Sequence, residues 1–297
     1  PRRNALFPTN KDAPPKGDTS HRKPSPFGFY TPETCRSAES PSHKHPHFKG
    51  KCPSERGKAY AAAYVYYKET DRQRAEGVYS IQTWIDGVDA EEIMEQLTRE
   101  EQYFYGFEAG KILKEIHKIP APQGTEDWEI SFNRKADYKI KMYLECPVKY
   151  ENGQAFIDYI NSHRHLLRGR PRTYQHGDYH IGNMMIGNDR KLYIIDFNRN
   201  DFGDPWEEFN RIVWCAETAP LFAAGMVNGY FDNNVPLAFW ELLALCISSN
   251  TLSSVPWAIP FGDSTVQSML HQGKEILRWY DNMTHPVPTW YKGVANQ

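Results

Sequence analysis

Hydrophobic and polar positions divide the chain into two parts that differ sharply near residue 78. Residues 1–58 contain ten prolines and a single member of the set Leu, Ile, Val and Met, which is Leu6. Neither a helical nor a strand period of apolar residues can be found among them. A segment with so little apolar area cannot offset the roughly 1–2 kcal/mol per residue that ordering its backbone costs. We therefore predict that residues 1–58 form a disordered tail.

From residue 78 onward the pattern predicts regular structure. The run Val78–Ile85 is rich in β-forming residues and stops at an Asp-Gly turn pair. Asp89 is placed to cap a short helix that follows it. Thr98 and Glu101 have the spacing of a capping box, which predicts the start of a second helix.

The remainder of the chain combines helical periods with one hairpin. Two short apolar strands, Met184–Ile186 and Leu192–Ile195, flank a polar connection, which is the pattern of a β-hairpin. Apolar residues at helical spacing predict further helices over residues 136–144, 154–167, 206–217, 221–231, 237–247 and 265–280. This order of elements indicates an α+β fold whose larger lobe is helical, with the hairpin inserted into it.

Three oxygen-bearing side chains meet at the base of this hairpin. The loop that enters its first strand carries Asp178 and Asn183, and its second strand delivers Asp196 at its end. Carboxylate and amide oxygens suit a hard cation such as Mg²⁺, and a carboxylate off the metal can take a proton from a hydroxyl nucleophile. Phosphoryl transfer needs that division of roles. The alternative is a metallohydrolase site with His176, Asp178 and His180 as ligands, which would leave Asn183 without a role.

Three motifs occur together in this region: His176–Asn183 with the pattern His-x-Asp-x-x-x-x-Asn, then Ile195-Asp196-Phe197, then Gly203-Asp204-Pro205. In combination they resemble the signature of the aminoglycoside phosphotransferase and choline kinase-like family. The resemblance implies a protein-kinase-like fold, in which a mostly helical C-terminal lobe carries the catalytic β-hairpin. It also implies an enzyme, a small-molecule kinase that moves the γ-phosphate of ATP (or GTP) to an alcohol, with Mg²⁺ as cofactor.

The resemblance implies a role for each matching residue. Asp178 would be the catalytic base that faces the substrate hydroxyl, and Asn183 and Asp196 would hold Mg²⁺. His176 would support the catalytic loop. Asp204 would support that loop from behind, or cap the helix that follows it.

The resemblance also divides the chain into segments. Val78–Gly87 looks like the strand that enters the hinge between the two lobes of such kinases. There, Thr83 and Ile85 would offer backbone groups to the adenine ring. The implied segments are an atypical, basic, Pro-rich stretch in place of most of the small lobe (1–77), the hinge strand and linker (78–89) and the helical catalytic and substrate lobe (90–297).

The small lobe that such a kinase requires cannot be recognised in the sequence. Val65–Lys68 faintly resembles the strand that carries the phosphate-binding lysine, but the nine residues between Lys68 and Val78 are too few for the helix and strand that should intervene. We therefore favour chance similarity, and treat residues 1–77 as either a divergent segment or an out-of-frame replacement. An alternative function follows, a catalytically impaired kinase-like protein that binds nucleotide or ligand without efficient transfer.

Charge is distributed unevenly along the chain. Residues 1–75 carry 15 Lys and Arg against 7 Asp and Glu, a net of +8, so the total of −2 leaves −10 for residues 76–297. The acidic part disfavours nucleic acid as a partner and is compatible with a cationic acceptor, which the family resemblance implies to be aminoglycoside-like. The five cysteines lack metal or redox spacing, and no apolar run of about 18 residues predicts a membrane span. We expect a cytoplasmic protein without membrane contact.

Overall fold

The computed structural model of the chain describes residues 84–292, together with the backbone of two strands that precede them. These strands are β1 (Ala63–Tyr66) and β2 (Tyr79–Gln82), and they pair antiparallel. β2 lies within the predicted β-rich run. The predicted tail of residues 1–58, Lys68 and Thr83 all lie outside the described residues, so the expectations attached to them stay predictions.

The chain divides into two compact units, and the second includes everything from Trp84 onward. That boundary falls within the predicted hinge segment, residues 78–89. The strands of the second unit are β3 (Gly87–Asp89), β4 (Thr173–Gln175), β5 (Met184–Gly187), β6 (Leu192–Ile194) and β7 (Asp201–Gly203). Its α-helices are α1 (Ala90–Ile93), α2 (Arg99–Ile116), α3 (Trp128–Glu145), α4 (Gln154–His163), α5 (Ile212–Thr218), α6 (Pro220–Tyr230), α7 (Leu237–Ala258) and α8 (Asp263–Trp279).

Helix α2 begins where the sequence predicts, because its first turn is capped from both sides. Thr98 Oγ1 accepts the amide hydrogen of Glu101 at 3.2 Å, while a carboxylate oxygen of Glu101 accepts that of Thr98 at 3.1 Å. Asp89 occupies the N-cap position of a short helix, as predicted, but its side chain makes no capping hydrogen bond. Helix α1 accordingly is short and passes into a single 3₁₀ turn over residues 94–96.

Helix α3 begins well before the predicted residue 136. Asp127 Oδ1 accepts the amide hydrogen of Glu129 at 2.8 Å, which satisfies a donor that would otherwise be unpaired at the helix start. Trp128 and Phe132, on the first turns, are buried. Their burial stabilises a stretch whose sequence pattern alone does not indicate a helix.

The sheets are small and antiparallel, and they place the loop between β4 and β5. The predicted hairpin is confirmed, with Met184 opposite Ile194. Two pairings were not predicted. β3 adds a third strand to the hairpin, with Val88 opposite Ile186, and β4 pairs with β7, with Tyr174 opposite Phe202. Both ends of the loop that carries Asp178 therefore start from hydrogen-bonded strands.

Helices α2 and α6 touch through their backbones. Each carries two glycines four residues apart, which lie on one face of a helix. A Cβ built on Gly106 would lie 2.1 Å from the carbonyl oxygen of Phe222, and one on Gly110 would lie 2.0 Å from that of Met226. Gly225 and Gly229 on α6 have equally close contacts with α2. The absence of side chains at these four positions is what permits the close crossing.

Helix α7 is the central helix of the core. It extends to Ala258, well past the predicted end at residue 247, because Leu252 and Val255 in the extension are buried. The buried hydroxyls there are satisfied within the helix: Ser248 Oγ donates to Ala244 O at 2.7 Å and Thr251 Oγ1 to Ile247 O at 2.8 Å. With the turn that follows, it is long and apolar enough to span a membrane by length and composition, although no apolar run in the sequence predicts a membrane span. However, 67% of its most apolar window is buried within the protein, as in the core helix of a soluble domain.

Candidate active site

The loop that connects β4 to β5 makes a turn that only glycine accommodates. Gly177 has φ of +85°, in the left-handed region, and a Cβ there would lie 2.0 Å from the carbonyl oxygen of Arg199. Its amide hydrogen is accepted by the carboxylate of Glu208, with N–O distances of 3.0 and 3.3 Å. Glu208 is buried, so this bond anchors the loop to the segment after β7.

His176 joins the loop to the end of β6. The ring is fully buried, and its Nε2 lies 2.8 Å from the carbonyl oxygen of Ile195. Its Nδ1 accepts the amide hydrogen of Asp178 at 3.2 Å. These two partners fix a neutral imidazole with the hydrogen on Nε2. Both ring nitrogens are thus engaged by the backbone, which excludes His176 as a metal ligand in this arrangement.

Asp178 has a largely buried carboxylate, with 13% of its side chain exposed. Arg211 Nε lies 3.2 Å from Oδ1, Arg199 Nη1 lies 3.5 Å from Oδ2, and His180 Nε2 lies 3.8 Å from Oδ1. Burial lowers the pKa of His180 to about 4, so this ring is neutral at pH 7. Two guanidinium groups therefore flank the carboxylate, and the sequence analysis identified neither.

Asn183 and Asp196 lie at the same level of the hairpin. The carbonyl oxygen of Asn183 accepts the amide hydrogen of Ile195 at 3.0 Å, so Asp196 follows directly after the residue paired with Asn183. The Asn183 Nδ2 donates to the carbonyl oxygen of Asp178 at 2.9 Å, which leaves Oδ1 as the group that could ligate a cation. Asp196 is exposed and has φ of +65°. Residues 84–292 contain no cluster of three His, Cys, Asp or Glu that suits a metal.

Asp204 lies behind the loop in a buried ion pair. Arg170 donates to both of its carboxylate oxygens, at 2.6 and 3.0 Å, and Trp206 donates its amide hydrogen to Oδ1 at 2.7 Å. Burial raises the pKa of Asp204, and the hydrogen bonds from Arg170 oppose that rise. The Gln175 side chain donates to the carbonyl oxygen of Asp204 at 2.8 Å, which connects the pair to the end of β4.

The C-terminal end of α2 reaches the same network. His117 is buried, with Nδ1 2.9 Å from the hydroxyl of Tyr230 on α6 and Nε2 3.9 Å from a carboxylate oxygen of Glu208. Glu208 therefore lies between this histidine and the amide of Gly177. No local sequence pattern predicts that contact, because His117 and Glu208 are far apart along the chain.

The predicted hinge residues are only partly described. Ile85 is half-buried, next to Trp84, whose side chain is 88% exposed. Trp84 Nε1 donates to Asp86 Oδ1 at 3.1 Å, so its ring turns toward the following turn. The adenine contacts assigned to Thr83 and Ile85 stay predictions.

A cavity of about 700 Å³ lies at the C-terminal end of α5. Helix α5 connects it to the loop, because Arg211 immediately precedes the helix and Glu217, on its last turn, lines the cavity. Six residues at 1.5 Å each separate these two positions by roughly 9 Å along the axis. Trp279 on α8 and Trp290 provide apolar walls.

A mostly helical lobe, an antiparallel hairpin and an Asp-x-x-x-x-Asn loop held at its base are the features of a kinase-like phosphotransferase. A sequence profile of the phosphotransferase enzyme family (APH) matches residues 54–240, so the chain belongs to that family. The family resemblance and the enzyme class predicted from the sequence are thereby confirmed. The match begins at residue 54, within the segment predicted to be atypical.

Solved structures of the same fold include small-molecule kinases. A choline/ethanolamine kinase family protein from Mesorhizobium loti matches with a TM-score of 0.53 at 11% identity, covering 75% of this chain and 76% of that one. A thermostable mutant of aminoglycoside phosphotransferase APH(4)-Ia, in ternary complex with AMP-PNP and hygromycin B, matches with a TM-score of 0.52 at 17% identity, covering 74% and 77%. At such identities the likeness establishes the fold, which confirms the predicted protein-kinase-like class. No curated protein matches the chain.

Proposed function

We propose that this protein transfers the γ-phosphoryl group of ATP to a hydroxyl group of a small compound, with Asp178 as the base. The observation that carries this proposal is the fixation of Asp178. Its own amide is held by His176, its carbonyl oxygen by Asn183, and the preceding glycine by Glu208. A carboxylate positioned so firmly in a phosphotransferase is suited to orient an attacking hydroxyl.

The acceptor oxygen forms a bond to the γ-phosphorus as its proton passes to the Asp178 carboxylate. The bond between the γ-phosphorus and the oxygen that bridges to the β-phosphorus breaks, and ADP keeps that electron pair. His180 does not take the acceptor proton at neutral pH, because burial lowers its pKa to about 4.

Asn183 and Asp196 would hold Mg²⁺. Both offer oxygen, the donor that this hard cation prefers, and the Asn183 amide nitrogen is already engaged by Asp178. The cation would supply neutralisation of the charge on the β- and γ-phosphates. His176 and Asp204 would act by holding the loop and the segment after β7 in place.

The nucleotide and the acceptor are proposed from different evidence. The structures of APH(4)-Ia with AMP-PNP or ADP support ATP as the donor here, with GTP as the alternative. We assign the part of the acceptor that lies away from Asp178 to the cavity at the end of α5, whose volume of about 700 Å³ is within the roughly 300–1,000 Å³ usual for small-molecule sites and whose lining residues do not include those around Asp178. Net charge and the hygromycin B bound to APH(4)-Ia make an aminoglycoside-like compound one candidate acceptor, to be weighed against the charges close to Asp178.

The experiment is nucleotide binding followed by phosphate transfer. Thermal unfolding of the full chain should show stabilisation by ATP that depends on Mg²⁺. Asp178→Asn should retain that stabilisation and lose about 10²–10⁴-fold in transfer rate, measured as ADP release. Asp158→Asn, an exposed aspartate on α4, is the matched control and should change neither.

Two results would contradict the proposal. Transfer that survives Asp178→Asn would remove Asp178 as the base. Absence of any Mg²⁺-dependent stabilisation by ATP would favour the alternative function, an impaired kinase-like protein.

A further inference from the structure

Two arginines share the single carboxylate of Asp178. Within the described residues, neither Arg199 nor Arg211 has another carboxylate within 4 Å. Glu208 also acts on Arg211, but from farther away, and it accepts the amide hydrogen of Gly177. One negative charge therefore faces two positive charges beside the oxygen atoms that would take the acceptor proton.

The cavity at the other end of α5 has the same imbalance. One of its carboxylates, Glu275, is paired with Arg278, whose Nε lies 3.0 Å away, and the other, Glu217, lies 3.2 Å from a ring nitrogen of His271, which carries a charge only when protonated. Its other two cations, Arg99 and Lys292, have no carboxylate within 4 Å in the part of the chain that the structure describes. The cavity wall thus carries three permanent cations, Arg99, Arg278 and Lys292, against two carboxylates, a net charge of +1.

We propose that the acceptor carries an acid group, a phosphate or a carboxylate, close to the hydroxyl that is phosphorylated. This inference rests on the proposed function, because it concerns the acceptor of the same Asp178 site. Arg199 is the residue assigned to the acid group, since its side chain is 48% exposed against 27% for Arg211. Arg211, the closer and less exposed of the two, stays with Asp178 as a positioning residue.

Local charge and net charge point to different acceptors. The net charge of −10 over residues 76–297 is spread over a surface, and exposed charges more than about 8–10 Å apart are largely screened at physiological salt. Charges within 4 Å of the base act on the acceptor directly. A polycationic acceptor would bring like charges against Arg199 and Arg211, whereas an acid group would complete their pairing. The local arrangement therefore favours an acidic acceptor over the cationic one that net charge predicts.

The first test measures binding without transfer. Thermal unfolding of the full chain is followed with four matched compounds at constant ionic strength, with and without Mg²⁺-ADP: glycerol 3-phosphate, glycerate, glycerol and 3-amino-1,2-propanediol. We expect one or both acids to raise the unfolding temperature, and the neutral and amine compounds to leave it unchanged. The comparison of the two acids distinguishes a phosphate from a carboxylate as the preferred group.

Variants decide whether Arg199 is responsible for the binding. Arg199→Gln should lose the shift, and Arg199→Lys should keep part of it. Arg168→Gln, an exposed arginine between α4 and β4, is the control and should keep all of it. An equal shift in Arg199→Gln and the unchanged protein would mean an adventitious ion only. That result, or no shift with either acid, overturns the inference.

The second test separates acceptor recognition from chemistry. The KM of the preferred acid should be up to about fivefold below that of the amine compound, the upper range for one charged contact at a partly exposed site. Arg199→Gln should raise that KM up to about fivefold, whereas the control Arg168→Gln should leave it unchanged. Better turnover of the amine compound would overturn the inference in favour of a cationic acceptor. A loss of kcat on every acceptor would assign Arg199 to the γ-phosphate and overturn it too. If no acceptor is phosphorylated, the proposed function fails, and the binding test alone decides whether acids are recognised.

Discussion

Replacing Gly177 by alanine tests whether the catalytic loop is held as tightly as the structure shows. The new methyl carbon would lie 2.0 Å from the carbonyl oxygen of Arg199, whereas ordinary contacts begin at 3.4 Å. The loop or the segment that contains Arg199 would have to move by about 1.4 Å, the difference between those two distances. Either movement disturbs Asp178, because Arg199 lies 3.5 Å from its carboxylate.

Two contributions set the size of the effect. The left-handed conformation costs alanine about 1–2 kcal/mol, and overpacking a close contact costs about 1–3 kcal/mol more. We therefore expect the free energy of unfolding to fall by about 2–5 kcal/mol. At roughly 2–4 °C per kcal/mol for a folded unit of this size, Tm should drop by roughly 4–20 °C. Displacement of the base by about 1 Å should slow phosphate transfer about 100-fold.

Gly169→Ala is the matched control for this experiment. Gly169 also has a left-handed φ, +66°, but no atom lies within 4 Å of the position its Cβ would take. It should lose only about 1–2 kcal/mol of unfolding free energy and retain transfer activity. Both variants are compared by thermal and denaturant unfolding and by ADP release. Equal destabilisation by the two substitutions would refute the tight contact with Arg199, and unchanged activity of Gly177→Ala would refute its role in placing Asp178.

Three further predictions concern the surroundings of the loop. Arg170→Ala should lower the free energy of unfolding by about 3–5 kcal/mol, because it leaves the Asp204 carboxylate buried and unpaired; a loss in urea unfolding below about 1 kcal/mol would contradict this. The pKa of His180 is depressed to about 4, so between about pH 6.5 and 4 the unfolded chain binds a proton that the folded protein does not, and stability falls as pH falls. This loss of unfolding free energy is at most about 3 kcal/mol, and His180→Gln should not show it. Identical pH profiles of Tm for the two proteins would refute the prediction. Gly110→Ala should destabilise the fold by about 1–3 kcal/mol, since its Cβ would lie 2.0 Å from Met226 O, and a change within 0.5 kcal/mol would show that the helices separate easily.

Local signals allowed part of this structure to be predicted. The capping box at Thr98 and Glu101 and the hairpin around residues 184–194 depend on residues close in sequence, and both are confirmed. The predicted end of α7 at residue 247 is too early, because the polar residues Ser248 and Thr251 interrupt the hydrophobic pattern there. Their hydroxyls instead bond to carbonyls one turn back, an arrangement that the hydrophobic pattern does not report.

The candidate site was recognised through its motifs, but its electrostatics were not. Asp178, Asn183 and Asp196 belong to a spacing that can be read along the chain. Arg211 and Asp178 are 33 residues apart in the sequence, and no local pattern near either residue predicts their ion pair. Glu208 likewise contacts Gly177 only because β4 and β7 pair, which no local pattern predicts. The pairing of short strands that are far apart in the sequence is thus the feature that the sequence did not predict.

The backbone contact between α2 and α6 also bears on how this protein could acquire new acceptors. Leu221 and Ala224, on the first turns of α6, line the cavity, while Gly225 and Gly229 touch α2. Substitutions at the cavity-lining positions leave these glycines unchanged. The backbone contact between α2 and α6 can therefore be kept when the cavity residues vary. A library randomised at Leu221 and the cavity face of α8 should therefore contain mostly folded proteins. Selection from such a library would sample acceptor preference with little loss of stability.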